Sequence, residues 1–128
     1  MKKYGLLLMI VLAASTTTWG SLASVWTCPK SPNCGDTVKV YVKACVPGVC
    51  EVVCVDKTCV GNMIIVDVYL DCLRACDSTE VCEEKCIGEL CPGMYSVFVR
   101  IWSSYGGCRA SVAALGLTFL RVAPCCRP

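Results

Sequence analysis

The chain of 128 residues contains no histidine, which removes several kinds of active site at once. Ser-His and Cys-His nucleophile pairs and the commonest general base are excluded, and so are mixed Cys/His zinc sites. A pair of carboxylates in a cleft is the remaining catalytic option. Four acids are the candidates: Asp67, Asp71, Glu83 and Glu84. Because Asp67 and Asp71 alternate outward with Tyr69 on a predicted strand, where solvated residues belong, we expect no enzyme, no cofactor and no metal centre.

Other motifs are missing as well. No two cysteines stand in a C-x-x-C pair, the spacing of structural zinc and thioredoxin-type redox sites. No EF-hand loop accompanies the acidic segment from Asp67 to Glu89, and no N-x-[ST] site predicts N-glycosylation. Basic residues are not clustered, so nucleic acid is not an expected partner. The adjacent Cys125 and Cys126, near Arg121, are the only candidates for thiol–disulfide exchange. We expect them instead to form structural disulfides with different partners.

No segment reaches the length of about 20 apolar residues that a permanent membrane anchor needs. Two lysines precede an apolar stretch from Tyr4 to Ala14, and Ser21-Leu22-Ala23 has the small-x-small pattern of a cleavage site. The sequence therefore predicts a signal peptide over residues 1–23 and a single domain over residues 24–128. We expect the protein to be secreted and extracellular, or periplasmic in a Gram-negative bacterium, with no membrane span after cleavage.

Cysteine is what the chain has in excess, and all 14 cysteines lie beyond residue 23. An even number in an exported chain predicts disulfides rather than metal ligands. We expect seven structural bridges, more than a domain of this size needs in order to fold. The cysteines are Cys28, Cys34, Cys45, Cys50, Cys54, Cys59, Cys72, Cys76, Cys82, Cys86, Cys91, Cys108, Cys125 and Cys126.

Local sequence suggests partners for a few of these cysteines. Pro47-Gly48 suits the centre of a type II turn, which would set Cys45 opposite Cys50 in a hairpin, near enough to bond. The alternative sends Cys50 across the domain to Cys72 or Cys76.

Hydrophobic residues alternate with polar ones along most of the mature chain, which is the pattern of half-buried β-strands. Gly61-Asn62 predicts a two-residue hairpin between two of these strands. The segment 72–91 is ambiguous, because it fits either a strand over Val81–Leu90 or a short helix that ends near Cys86. Short strands separated by turns are typical of an antiparallel sandwich or barrel. The five predicted strands are Thr37–Cys45, Glu51–Val60, Met63–Asp71, Met94–Trp102 and Val112–Ala123.

The stretch Leu90-Cys91-Pro92-Gly93-Met94-Tyr95 resembles the L-x-P-G-x-Y motif of fibronectin type III and related immunoglobulin-like domains. In those domains the leucine enters the core and the tyrosine hydroxyl bonds back to the preceding loop, forming the tyrosine corner. The resemblance implies that Leu90 and Tyr95 have these roles. It also implies an all-β, antiparallel immunoglobulin-like β-sandwich that is rich in disulfides, although the Cys…Trp…Cys spacing of immunoglobulins is absent.

Aromatic residues supply the candidate binding surface, since aromatics on the outward face of a sheet often mark a partner or glycan site. The sequence therefore predicts a secreted, non-catalytic structural or interaction module whose partner is an extracellular or envelope protein or a glycan. One alternative is an exported inhibitor of a protease or other enzyme, presenting a loop at Val46–Val49 or Ser103–Gly107. The other is a small redox or metal-binding protein. The residues of the predicted surface are Tyr41, Tyr69, Phe98, Trp102 and Tyr105.

Overall fold

The computed structural model describes residues 21–106 and 110–125, and every element named in these ranges is a β-strand. The prediction of an all-β protein is therefore confirmed. Within the same residues no helix is long and apolar enough to cross a membrane. The strands are β1 (Ser21–Leu22), β2 (Ser24–Cys28), β3 (Thr37–Val60), β4 (Met63–Glu89), β5 (Gly93–Tyr105) and β6 (Ser111–Val122).

A long hairpin of β3 and β4 is the frame of the fold. Its turn is Gly61-Asn62, where Gly61 has a positive φ of 59° and Val60 pairs with Met63, so the predicted hairpin is confirmed. Both strands are long enough to run through two parts of the sheet, called here the small half and the large half. The small half holds β2 with residues 37–47 and 78–89, and the large half holds residues 49–60 and 63–73 with β5, β6 and β1.

The strands form one sheet in the order β1-β6-β5-β4-β3-β2. The sheet is mixed, because β4 pairs with β5 and β1 pairs with β6 in parallel, while the remaining pairs are antiparallel. The expectation of a purely antiparallel fold is wrong for a topological reason. After residue 73 the chain crosses into the small half, and it re-enters the large half only after Pro92, so β5 runs in the same direction as residues 63–72.

The core lies between the two halves. Alternate residues of β3, β4, β5 and β6 point inward and form one buried cluster, as the period of two predicts. This cluster takes side chains from both halves, and β2 and β3 each contact β6. The two halves therefore face each other, with the apolar side of the sheet buried between them. Its valines and isoleucines include Val38, Val40, Val42, Val46, Ile64, Val66, Val68, Val97, Val99 and Ile101.

The chain does not turn back at Pro47-Gly48 but continues as β3, so the predicted hairpin and the predicted loop at Val46–Val49 are wrong. Gly48 has a φ of 92° at the point where β3 passes from one half to the other. A Cβ there would lie 2.7 Å from the Leu73 carbonyl oxygen, so the crossing strands leave no room for a side chain. Cys50 accordingly bonds to Cys72, one of the alternatives considered.

The ambiguous segment 72–91 is a strand as far as Glu89, so the helix reading is wrong. Pairing with β3 is interrupted between Leu73 and Ser78 and then resumes. Val81 and Ile87 enter the core from this segment, whereas Glu80, Cys82, Glu84 and Cys86 are exposed.

The hydrogen bond that the L-x-P-G-x-Y motif predicts for Tyr95 is present. The Tyr95 hydroxyl donates to the Cys91 carbonyl oxygen at 2.7 Å, and the Tyr95 ring is buried. Leu90 packs against the core beside it. The predicted Tyr95 bond is therefore present, whereas Leu90 is only partly buried and lies against the core rather than within it.

Two disulfides hold the described chain, Cys34–Cys125 and Cys50–Cys72, where seven were expected. Cys108 and Cys126 lie outside the described residues. Cys45 Sγ contacts Ser78 Oγ at 3.6 Å. Seven further cysteines of the described chain form no disulfide and are exposed: Cys28, Cys54, Cys59, Cys76, Cys82, Cys86 and Cys91.

The predicted signal peptide lies mainly outside the described residues, but its last three residues are described. Ser21 and Leu22 pair in parallel with β6, and Ala23 N donates to the Leu115 carbonyl oxygen at 2.8 Å. Leu22 is 79% exposed, so β1 adds little to the core.

Candidate functional site

The outer face of the large half brings polar and aromatic side chains of β4 and β5 into register. Successive outward residues of the two parallel strands are direct neighbours, because the pairing places every second residue side by side. This surface, called here the outer aromatic face, consists of the pairs Ile65–Phe98, Asp67–Arg100 and Tyr69–Trp102.

Asp67 is the centre of the outer aromatic face. Its Oδ1 accepts from Arg100 Nε at 2.6 Å and from Trp102 Nε1 at 2.9 Å, and its Oδ2 accepts from Arg100 Nη2 at 2.9 Å. The Asp67 side chain is only 8% exposed, whereas that of Arg100 is 34% exposed. A bidentate guanidinium and an indole N–H together replace the water that the carboxylate loses. The hydrogen bond to Asp67 raises the pKa of Arg100 above its ordinary value.

Two aromatic rings continue this face. Tyr69 and Trp102 lie nearly parallel, with centroids 6.5 Å apart and an interplanar angle of 12°, and the Arg100 guanidinium lies 5.3 Å from the centre of the Trp102 ring. The pKa of Tyr69 is raised, first by local desolvation and then by the negative charge of Asp67. The Tyr69 hydroxyl therefore stays protonated at neutral pH and is a hydrogen-bond donor as well as an acceptor.

A shallow groove of about 400 Å³ opens beside these rings. It is lined by Tyr69, Trp102 and Val53 of β3, and Asp71 and Ser104 add polar groups to the lining. Asp71 is exposed as predicted. An open groove with aromatic walls and a few polar groups can hold a flat ligand or a protruding side chain.

The structure divides the five aromatics of the predicted surface among three places. Tyr69, Phe98 and Trp102 share the outer aromatic face. Tyr41 lies on the small half, stacked on Trp26 with centroids 5.8 Å apart. Tyr105 lies at the end of β5.

Tyr105 is held by contacts with Pro47 and Arg74. Its hydroxyl donates to the Pro47 carbonyl oxygen at 3.3 Å, and the Arg74 guanidinium lies 5.0 Å from the centre of its ring. These contacts fasten the end of β5 to the place where the long hairpin crosses between the halves.

Tyr41 is surrounded by charge. Lys39 Nζ lies 3.6 Å from Glu84 Oε2, and Lys43 Nζ lies 3.9 Å from Glu80 Oε2. Local desolvation, followed by the negative charge of Glu84, raises the pKa of Tyr41. All four charged groups are about half exposed, so each pair contributes under about 1 kcal/mol.

The sequence did not identify Asp67 or Arg100 as members of the surface. Asp67 does point outward as predicted, but it is buried beneath its partners rather than solvated, so that part of the prediction is wrong. The signal that would have found the pair is an acid and an arginine on outward positions of two strands. The sequence alone does not show that these two residues are neighbours, because that depends on the parallel register of β4 and β5.

A second groove of about 620 Å³ lies at the hairpin end of the large half. Large apolar side chains border it with high exposed fractions: Val60 at 62%, Met94 at 57% and Phe119 at 67%. In residues 21–106 and 110–125, no group of three or more Cys, Asp and Glu side chains is placed to hold a metal ion.

Comparison with known proteins adds no relative. No protein-family model, curated protein or solved structure matches the chain.

Proposed function

We propose that this protein is an exported, non-catalytic interaction module with an immunoglobulin-like β-sandwich fold, and that its partner docks on the outer aromatic face. The stacked Tyr69 and Trp102 rings beside the buried Asp67 and its partner Arg100 carry the proposal. Aromatic rings and arginine are the side chains that most often dominate binding surfaces. Here three hydrogen bonds to Asp67 hold Arg100 and Trp102 in place, so little rotamer entropy is lost when a partner binds.

Several observations support the fold and the export. The Tyr95–Cys91 hydrogen bond has the form of the tyrosine corner, and two sheet halves enclose one core. The parallel β4–β5 pair is a departure from the antiparallel arrangement of these domains. Disulfides are typical of proteins in oxidising compartments.

A non-catalytic role agrees with the state of the acids. Asp67 accepts three hydrogen bonds from Arg100 and Trp102 and is buried beneath them, which suits a structural carboxylate better than a catalytic one. Its neighbour Asp71 is exposed on the same strand. Glu83 and Glu84 lie on the other half of the sheet, and they point to opposite sides of one strand.

Binding tests the proposal most directly. The exported chain is incubated with insoluble envelope polysaccharides and, separately, with extracellular and envelope proteins from the producing cells, and the bound fraction is measured. We expect Trp102→Ala to lower binding by at least tenfold, since an aromatic anchor contributes about 2 kcal/mol or more. Whichever preparation retains the chain identifies the partner as glycan or protein.

Trp26→Ala is the matched control, because Trp26 is also a tryptophan stacked on a tyrosine but lies on the small half, where it is 46% exposed. It should bind like the unchanged chain. Equal losses in both variants, or no loss in either, would show that the outer aromatic face is not the docking surface.

The export and the predicted cleavage have their own test. The intact mass of the exported chain, taken without reductant after thiol blocking, should correspond to residues 24–128. A chain that retains residues 1–23 would overturn this part of the proposal.

A further inference from the structure

The second part of β4, residues 78–89, is an open edge of the sheet. Among the described residues it pairs with β3 on one side, whereas β5 pairs only with residues 63–72. Lys57 Nζ donates to the Ile87 carbonyl oxygen at 2.7 Å from the other half, so this carbonyl points away from β3. Alternate residues of a strand present their backbone groups to the same side. Ile87 is the unpaired residue of a β-bulge, whereas Val81, Glu83 and Lys85 pair in regular register with β3 and face the same inward side as Ile87. Within the described residues these three therefore offer their N–H and C=O groups to an added strand.

The sequence of this edge is complementary to itself when it is read in the opposite direction. In an antiparallel pair centred on Glu84 of Cys82-Glu83-Glu84-Lys85-Cys86, Cys82 lies opposite Cys86 and Glu83 lies opposite Lys85. Opposite charges placed in this way stabilise a strand pair. Glu84 would face its own copy, and Lys39 Nζ, 3.6 Å from Glu84 Oε2 in each chain, reduces the repulsion between the two carboxylates.

Cys82 and Cys86 form no disulfide within the described chain, and the strand geometry keeps them from bonding to each other. Both are exposed on the outer side of the small half, and four residues of strand separate them by roughly 13 Å. Cys28 shares a register row with Cys86, but Lys39 of β3 lies between them, so their Cα atoms are roughly 10 Å apart. A disulfide needs Cα atoms within about 7 Å.

A second copy at the edge brings the thiols into range. The backbone groups of Cys82 and Cys86 point toward β3, so across the new edge they form non-hydrogen-bonded pairs with Cα atoms about 4.5 Å apart. The chain already joins antiparallel neighbours in this way, since Cys50 and Cys72 are direct partners in the β3–β4 pairing and form a disulfide.

We propose that two copies of this chain pair edge to edge through residues 82–86 of β4 and are joined by two symmetric disulfides, Cys82 of each copy to Cys86 of the other. A two-fold axis through the Glu84 pair relates the copies, as in most homodimers. The inference deepens the proposed function by naming one partner, and it rests on that function only for the oxidising compartment.

The cross-link needs an oxidant, which is a small-molecule disulfide such as oxidised glutathione. The Cys82 thiolate attacks one sulfur of the oxidant and forms a mixed disulfide, releasing one glutathione thiolate. The Cys86 thiolate of the second copy then attacks the Cys82 sulfur and expels the second glutathione. Each protein disulfide therefore consumes one oxidised glutathione, and the two protons lost by the cysteines are taken up by the two glutathione products.

Complementing variants test the pairing. The chain is isolated with its native bonds, exposed to oxidised glutathione, thiol-blocked and separated by electrophoresis without reductant. We expect a dimer that reductant dissociates. Cys82→Ser and Cys86→Ser should each stay monomeric, because every bridge needs one residue of each kind. Co-expressed with different tags, the two variants should form a mixed dimer with a single bridge between the remaining Cys86 and the remaining Cys82.

Cys59→Ser is the control, since Cys59 is an exposed cysteine of the large half, and it should dimerise like the unchanged chain. Lys85→Glu should weaken dimer formation roughly tenfold, because two attractive cross-strand pairs become repulsive. Exchanging the charges with Glu83→Lys and Lys85→Glu together should restore it.

Three outcomes would overturn the inference: an unchanged chain that remains monomeric, a Cys82→Ser or Cys86→Ser chain that dimerises alone, or a cross-link that maps to other cysteines. None of them bears on the outer aromatic face, because binding to polysaccharide or protein and its loss in Trp102→Ala are measured separately. A monomer of residues 24–128 that still binds through Trp102 would leave the proposed function standing and reject the dimer.

Discussion

The Asp67 carboxylate shows how a charge on the outer side of a sheet is kept out of water. Its strand position directs it outward, yet Arg100 and Trp102 of the neighbouring strand cover it and supply three hydrogen bonds. Burying a charge without partners is costly, so the stability of this face depends on the pair remaining intact. Lys39 and Glu84 are exposed to water, so the stability of the fold depends little on whether they stay paired.

Asp67→Asn should therefore destabilise the fold by about 2–3 kcal/mol, since it leaves the Arg100 guanidinium without a counter-charge. The free energy of unfolding from urea titration measures the effect. Glu84→Gln removes an exposed carboxylate and should cost less than about 1 kcal/mol. Equal costs for the two variants would mean that the Asp67 pair is no stronger than a surface ion pair.

A second prediction at this scale concerns Gly48. Gly48→Ala should cost about 2–4 kcal/mol, because the new methyl group meets the Leu73 carbonyl oxygen at 2.7 Å in addition to the strain of a positive φ. Gly35→Ala is the matched control, with a φ of 94° and no atom within 4 Å of the added carbon. It should cost only about 1–2 kcal/mol, the conformational term alone. Chemical denaturation that gives equal losses would show that the strand crossing tolerates a side chain.

At the scale of elements, the edges of the sheet are covered to different extents. Among the described residues β4 has an unpaired edge in the small half, and the two-residue β1 covers part of the β6 edge in the large half. A strand as short as β1, with Leu22 79% exposed, contributes little burial, whereas β2 pairs over its whole length with β3.

Beginning the chain at Ser24, as the predicted cleavage does, should therefore lower the free energy of unfolding by only about 1 kcal/mol relative to a chain that begins at Ser21. A chain that begins at Pro29 lacks β2, which buries Thr27 and packs Val25 against the core, and it should lose several times more. Urea titration of the three chains measures both differences. Failure of the chain from Ser24 to fold would place the domain boundary before residue 24.

At the scale of the whole molecule, the two disulfides constrain the chain over very different distances. Cys34–Cys125 joins residues separated by 91 positions and ties the segment before β3 to the segment after β6. Cys50–Cys72 spans 22 positions within one hairpin. Loop-closure entropy in the unfolded chain grows with the length of the closed loop.

Replacing both Cys34 and Cys125 by alanine should thus cost about 4–5 kcal/mol, and replacing Cys50 and Cys72 about 3–4 kcal/mol. Thermal and urea unfolding of the two double variants, with other thiols blocked, gives the comparison. A larger loss from the short-loop pair would mean that packing of the buried Cys72, rather than chain entropy, dominates the contribution of these bonds.

The local pattern of the sequence was sufficient for features that depend on neighbouring residues. The sequence pattern identified strand segments within β3, β4, β5 and β6 and the inward residues Ile64, Val66, Val68 and Leu70, but it did not identify β1 or β2 or the continuity of β3. Gly61-Asn62 identified the hairpin, and the L-x-P-G-x-Y motif identified the Tyr95 bond. Only the tertiary structure decided the parallel pairing of β4 and β5, the choice of Cys72 as the partner of Cys50, and the burial of Asp67. Each of these depends on which distant strands meet and in what register, and that is determined by closing one core around both halves of the sheet.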